Sequence, residues 1–160
     1  MKFHSPMIIV NDIESSKRFY HDILYEEIVQ DLGNYVVFAG GFSMMTREQW
    51  NAFTNDAPAG GNDGHCFELY FEEDDLDDFV KRIEENADIK QFTEFQEATW
   101  GQRTIRFLDP DEHVIEVSES MEAVVIRLLS SGMTARAASE KSMMPMAFVE
   151  RCADRLDTRR

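Results

Sequence analysis

The sequence predicts an α+β protein built from two copies of one strand–helix–three-strand unit and closed by a helical tail. Three observations carry that prediction. Asp12-Ile13-Glu14 returns as Asp75-Leu76-Asp77 at an offset of 63, each preceded by a strand-like run and followed by an amphipathic stretch. Short β-rich runs separated by turn residues follow each amphipathic stretch. Past residue 119 the strand pattern stops and the charge changes sign. Residues 1–119 carry 9 Lys/Arg and 26 Asp/Glu, a balance of −17, and residues 120–160 carry 7 and 5, a balance of +2.

The first unit spans residues 3–46. Met7-Ile8-Ile9-Val10 is a β-rich run ending at the turn and cap residues Asn11-Asp12. A helix follows over Ile13–Leu24, with Ile13, Phe19, Tyr20, Ile23 and Leu24 at helical spacing and Lys17, Arg18 and Asp22 between them. Tyr25–Gln30, Tyr35–Ala39 and Phe42–Thr46 read as strands, with Gly33-Asn34 and Gly40-Gly41 as tight turns. Residues 47–64 read as a linker that holds Trp50 and Phe53 and then takes on loop composition.

The second unit spans residues 65–119. Cys66–Phe71 is a strand, and Asp74-Asp75-Leu76 opens a helix to about Asn86 with Leu76, Phe79, Val80 and Ile83 on one face. The acidic run from Glu72 to Asp78 suits that helix N-terminus and lacks the spacing of a calcium loop. Ile89–Gln96 is a strand; Arg103–Leu108 and His113–Ser118 are two more, joined by Asp109-Pro110-Asp111-Glu112. Residues 1–119 form one domain, and residues 120–160 form a helical extension. Ser120 caps a helix carrying Val124, Val125, Leu128 and Leu129, which Gly132 stops. Thr134 caps a second helix to about Ser142, and Pro145 opens a third with Phe148, Val149, Cys152 and Leu156 at helical spacing.

The 160 residues are 43% hydrophobic and include 12 Phe, enough for a core. A net charge of −15 argues against general nucleic-acid binding and against anionic membrane surfaces. No run approaches the length of a membrane span, and the opening Met1-Lys2-Phe3-His4-Ser5-Pro6 lacks a secretory apolar core. Cys66 and Cys152 have no metal-type spacing and read as thiols of a reducing compartment, so a cytoplasmic location is expected. The tail has the outline of a helix-turn-helix, but Glu150, Asp154 and Asp157 interleave with Arg151, Arg155, Arg159 and Arg160. A helical cap, with Met143, Met144 and Met146 as adaptable packing, is the expected role.

Three segments resemble one superfamily. Val10-Asn11-Asp12-Ile13-Glu14-Ser15-Ser16-Lys17-Arg18-Phe19-Tyr20 resembles the opening module of vicinal oxygen chelate proteins, the glyoxalase, bleomycin-resistance and extradiol-dioxygenase group. Phe71-Glu72-Glu73-Asp74-Asp75-Leu76-Asp77 resembles the opening of their second module, and Phe107-Leu108-Asp109-Pro110-Asp111-Glu112-His113-Val114-Ile115-Glu116 resembles their closing hairpin. Glu112 departs from the family, which usually has Gly there. The resemblance covers about residues 3–119 and implies paired βαβββ modules forming a cupped mixed sheet around a ligand, often as a homodimer.

Strand alternation then sorts the faces. Glu68, Tyr70 and Glu116 should face the cup, as should Ser5, Met7 and Ile9 of the first strand and Ser43 and Met45 of the fourth. Metal-using members place one ligand at each of four positions, which the resemblance carries to Ser5, Met45, Glu68 and Glu116. That set suits a metal poorly, because Fe, Ni and Zn prefer imidazole with carboxylate. No cofactor is expected, although a divalent metal on Glu68 and Glu116 stays open. The two carboxylates could instead serve proton transfer, or form a salt bridge inside the cup with Arg103 or Arg106, both read as residues of the ligand pocket with Ser5, Met7 and Met45. Tyr70, Trp50, Phe53 and Trp100 are candidate ligand-stacking aromatics. The histidines His4, His21, His65 and His113 make no ligand pair by spacing and read as surface or packing residues.

Three functions are expected from these readings. The first is a metal-free, bleomycin-resistance-like protein that sequesters or binds a small molecule. The second is a metal-dependent lyase, isomerase or oxygenase using Glu116 and Glu68, and whether any reaction is catalysed stays open. The third is a regulatory module whose tail binds a partner. A small-molecule ligand and a homodimer are the expected partners, with neither nucleic acid nor membrane.

Overall fold

Two aspartates 63 residues apart each start a helix by the same device. The Asp12 side chain accepts from the Ser15 N–H at the start of α1 (Ile13–Leu24), and the Asp75 side chain accepts from the Asp78 N–H at the start of α3 (Leu76–Glu85). Both satisfy a backbone donor that a helix N-terminus otherwise leaves orphaned.

The structure, a computed structural model, describes residues 5–54 and 68–158. Around α1 lie β1 (Met7–Val10), β2 (Ile28–Asp31), β3 (Tyr35–Phe38) and β4 (Ser43–Thr46). Around α3 lie β5 (Glu68–Glu73), β6 (Lys90–Glu97), β7 (Arg103–Leu108) and β8 (Val114–Glu119). Each set makes a four-stranded mixed sheet with the same plan, β1-β4-β3-β2 and β5-β8-β7-β6, in which the first strand runs parallel to the last. The duplicated βαβββ unit is therefore present twice. The strand predicted over Cys66–Phe71 is seen from Glu68 onward, and Cys66 lies outside the described residues.

One region predicted as linker is regular. Residues 47–54 form helix α2 (Arg47–Thr54) against β4 and β1. Thr46 Oγ1 accepts from the Gln49 N–H at 3.3 Å, the first half of a Thr-x-x-Gln capping box. That box is visible in the sequence, but the absence of a long apolar stripe after it hid the helix. Residues 55–64 of the predicted linker lie outside the described residues.

The chain divides into two compact units, residues 1–66 with 109–113 and residues 67–108 with 114–160. In the first, Ile8, Val10, Val36, Phe38 and Met44 are buried on one sheet face with Tyr20 of α1. Phe38 and Phe42 stack at 4.7 Å between centroids, and the Tyr20 ring lies 5.5 Å from Phe38. The Tyr20 hydroxyl donates to Asp109 Oδ2 at 2.9 Å. Asp109 Oδ2 also meets His113 Nδ1 at 2.8 Å, and Oδ1 accepts from the N–H groups of Asp111 and His113. Burial, then the Asp109 charge, pushes the Tyr20 phenol well above its usual range.

In the second unit Leu76, Phe79 and Ile83 of α3 are buried, as are Ile105, Phe107, Ile115 and Val117 of β7 and β8, with Phe79 and Phe107 6.1 Å apart. The tail belongs to this unit. Helices α4 (Met121–Ser130), α5 (Ala135–Ser142) and α6 (Met146–Thr158) share a core of Val124, Val125, Leu128, Ala138, Val149 and Cys152. The predicted caps Ser120 and Thr134 accept from the Ala123 and Ala137 N–H groups. Met143 takes φ +60° in the α5–α6 turn, a left-handed position. Among the described residues no helix is long and apolar enough to cross a membrane.

Candidate functional site

Strand register builds the polar face of the second sheet. Tyr70 of β5 pairs with Glu116 of β8, Glu116 with Arg106 of β7, and Arg106 with Thr93 of β6. The four therefore stand in one row across the sheet. Alternation sends Ile105, Phe107, Ile115 and Val117 toward α3, which leaves the row on the opposite face.

Arg106 holds the centre of that row. Its Nε donates to Glu68 Oε2 at 3.1 Å, and its Nη2 donates to Glu116 Oε2. Glu116 is buried, and its second oxygen accepts from Ser118 Oγ at 2.8 Å. Thr104 Oγ1 lies 2.7 Å from that hydroxyl. Arg106 and Ser118 thus supply one donor to each oxygen of Glu116. Tyr70 is 49% exposed beside this cluster. Its hydroxyl donates to Glu72 and accepts from Gln102 Nε2, both at 3.1 Å, while Trp100 Nε1 donates to Gln102 Oε1 at 3.0 Å. Gln102 thereby fixes two exposed aromatics in one hydrogen-bonded group.

Arg103 is a correction. Sequence reasoning grouped it with Arg106 as a pocket residue, but it turns to the helix side. There it donates to both oxygens of Asp77, at 2.7 and 3.1 Å, and to Glu119 Oε1 at 2.7 Å. Arg127 of α4 closes on Glu119 from its other side, at 2.9 and 2.7 Å. Burial raises the Glu119 carboxyl, but hydrogen bonds from Arg127 and Arg103 outweigh it and hold the group below its ordinary value. These residues, with Asp74, Glu122, Ala123 and Ile126, line a cavity of about 260 Å³. Sequence reasoning missed Glu119. Its signal was an acid on the apolar side of an alternating strand, where a cation has to meet it.

The remaining candidates lie in the first unit. Ser5 and Met7 are half-buried, Met45 is buried, and Trp50 is half-buried on α2. The Phe53 side chain, His4 and His65 lie outside the described residues. The four-position set needs one change. Met7 pairs with Ser43, as Tyr70 pairs with Glu116, so Ser43 and not Met45 stands where the second unit has Glu116. The loosely matching first hairpin concealed that two-residue step. His21 is exposed beside Asp22, and His113 sits on Asp109.

Among the described residues no three His, Cys, Asp or Glu side chains group as metal ligands. The donor set as arranged also fits a divalent ion poorly. Glu68 and Glu116 share one guanidinium, and a second cation between them would meet it at like charge.

Residues 3–122 match the glyoxalase-like domain. Comparison with curated proteins finds no match. Among solved structures, a protein of unknown function from Agrobacterium tumefaciens is 34% identical, with a TM-score of 0.65 over 75% of this chain and 94% of that one. A glyoxalase/bleomycin resistance protein/dioxygenase family enzyme from Burkholderia phytofirmans has a TM-score of 0.61 at 16% identity, over 72% of this chain and 96% of that one. A lactoylglutathione lyase from Agrobacterium tumefaciens has a TM-score of 0.57 at 20% identity, over 74% of this chain and 93% of that one. The last two likenesses speak for the fold alone.

Proposed function

The chain belongs to the glyoxalase-like, vicinal oxygen chelate family, and we propose that within it this protein binds a small molecule on the polar face of its second sheet without a resident metal. The observation that carries the reading is the pairing of an exposed aromatic with a fixed polar cluster. Tyr70 stands in the same strand row as Glu116 and Arg106, and Gln102 ties it to Trp100. A flat ligand stacks on such a ring while the polar cluster sets its orientation. Small-molecule sites commonly combine apolar area with a few placed polar groups in this way.

The test is a thermal-unfolding screen of planar aromatic compounds against chelator-treated protein, followed by titration of the hits. Binding should survive the chelator, and Tyr70→Ala should weaken it by roughly tenfold, the equivalent of about 1.4 kcal/mol. Hits that bind only after a divalent metal is restored would instead support a metal-dependent enzyme using Glu68 and Glu116.

A further inference from the structure

We infer that Arg106 is a tethered cation: its guanidinium takes the place that a divalent ion would hold between Glu68 and Glu116. The inference deepens the metal-free reading above and rests on it for its functional meaning. Its geometric basis is separate. Glu116 is buried, and a buried carboxylate needs a balancing cation. Ser118 holds the far oxygen of Glu116, so the near oxygen has a fixed direction. Arg106 meets that near oxygen with Nη2 and reaches Glu68 with Nε, and so carries two carboxylates on one planar group. Nη1 finds no acceptor among the described residues, and the Arg106 side chain is 25% exposed.

A free N–H edge of that kind donates to a ligand oxygen, such as a carbonyl or hydroxyl. It offers a hydrogen bond and positive charge at the place where a metal would offer coordination. The face thus carries a cation that belongs to the chain itself.

Removing the guanidinium distinguishes a tethered cation from an ordinary structural salt bridge. If the two carboxylates are spaced only for a salt bridge, losing the guanidinium destabilises the protein and creates no ion site. If they are spaced as an ion needs them, the loss leaves a pair that a free divalent ion can occupy. The experiment is Mn²⁺ and Zn²⁺ titration of chelator-stripped full-length chain, read by equilibrium dialysis and by the shift in unfolding midpoint. Wild type should show no saturable site that depends on Glu68 and Glu116. Arg106→Ala, with Arg106→Gln as the milder truncation, should gain one site at least about tenfold tighter than any wild-type binding. Adding Glu116→Gln should abolish the gain, and Arg106→Lys, which keeps a cation, should not produce it.

The inference is overturned if wild type binds one ion that the double change Glu68→Gln with Glu116→Gln removes. It is equally overturned if the folded Arg106→Ala and Arg106→Gln variants gain no site, if their gain survives Glu116→Gln, or if Arg106→Lys gains as much. No organic ligand enters this test. A failed ligand screen therefore leaves it intact, and a failed metal titration leaves ligand binding on Tyr70 intact.

Discussion

Across the first sheet, on the face away from α1, one row holds Met7, Ser43 and Val37. At the same register positions of the second sheet stand Tyr70, Glu116 and Arg106. The preceding cross-positions, Ser5 and Glu68, differ in the same sense. The helix-facing sides are alike: Ile8, Val36 and Met44 in one unit, and Ile105, Phe107 and Ile115 in the other, are all buried. Packing against a helix demands apolar side chains of suitable volume, and that demand falls on both copies equally. The opposite face carries no such demand. One copy fills it with neutral side chains, and the other gathers an ion cluster there.

The copies also differ in where each places its buried polar anchor. The first uses Tyr20 on Asp109 at the helix. The offset of 63 puts Ile83 at the position of Tyr20, and Ile83 is a plain core residue. The second unit has its anchor at the strand end, where Glu119 is 2% exposed between Arg103 and Arg127 and so fastens α4 to the sheet.

Breaking that second anchor should have the largest effect. Glu119→Ala leaves two arginines facing a cavity and should cost about 3 kcal/mol or more. Urea unfolding would measure the loss, and hydrogen exchange should rise across α4, α5 and α6. Glu122→Ala, which removes the solvent-screened pair with Arg155, should cost much less than Glu119→Ala. The pH dependence has a definite sign. The folded value of Glu119 lies below the ordinary one, so its stabilisation is complete above the unfolded carboxylate range. It fades as pH falls from the ordinary carboxylate range through the lower folded value. Asp77, lowered by its hydrogen bond to Arg103, acts in the same direction. Glu119→Gln should therefore flatten the acid limb of a stability–pH curve. An unchanged limb would show that Glu119 is not its source.

Breaking the first anchor should cost less. Tyr20→Phe keeps the ring packing and removes one donor from a buried carboxylate that retains three others, so about 1–2 kcal/mol is expected. Ile83→Val, its counterpart, should cost about 1 kcal/mol through lost packing alone. Only Tyr20→Phe should alter proton exchange at the His113 ring. Equal spectra for both variants would separate His113 from this network.

These contrasts were unevenly legible in the sequence. The helix starts at Asp12 and Asp75 could be read, because a cap and its amphipathic face lie within one short window. So could the side of the sheet on which Glu68, Tyr70 and Glu116 stand, since alternation fixes it. The partner of the carboxylates was legible by the same rule. Arg103 and Arg106 stand three residues apart on one strand and so face opposite ways, and the apolar Ile105 and Phe107 mark the helix side, which leaves Arg106 on the face of Glu116. Cross-strand register was hidden, because no local window contains both strands, and it moves the counterpart of Glu116 from Met45 to Ser43. The clasp on Glu119 needs residues from α3, β7, β8 and α4 together, a juxtaposition that no local window contains.

The smallest expected effect separates the two closing turns. Between β3 and β4 the left-handed position is Gly41, at φ +86°, with open space around its missing Cβ. Between β7 and β8 the left-handed position is Glu112, at φ +67°, where the family usually has Gly. A residue with a Cβ costs about 1 kcal/mol or more in that conformation, even with no neighbour in the way. Gly41→Ala should therefore destabilise by about 1 kcal/mol for backbone reasons alone. Glu112→Gly should stabilise by well under about 1 kcal/mol, because the added freedom of glycine in the unfolded chain and the loss of the Glu112 side chain's own interactions offset part of the relief. The Glu112 N–H bond to the Asp109 carbonyl, 3.0 Å long, is kept in the variant. If Glu112→Gly instead destabilises the protein, the Glu112 side chain makes a contact worth more than the strain, and the departure from glycine has a reason beyond drift.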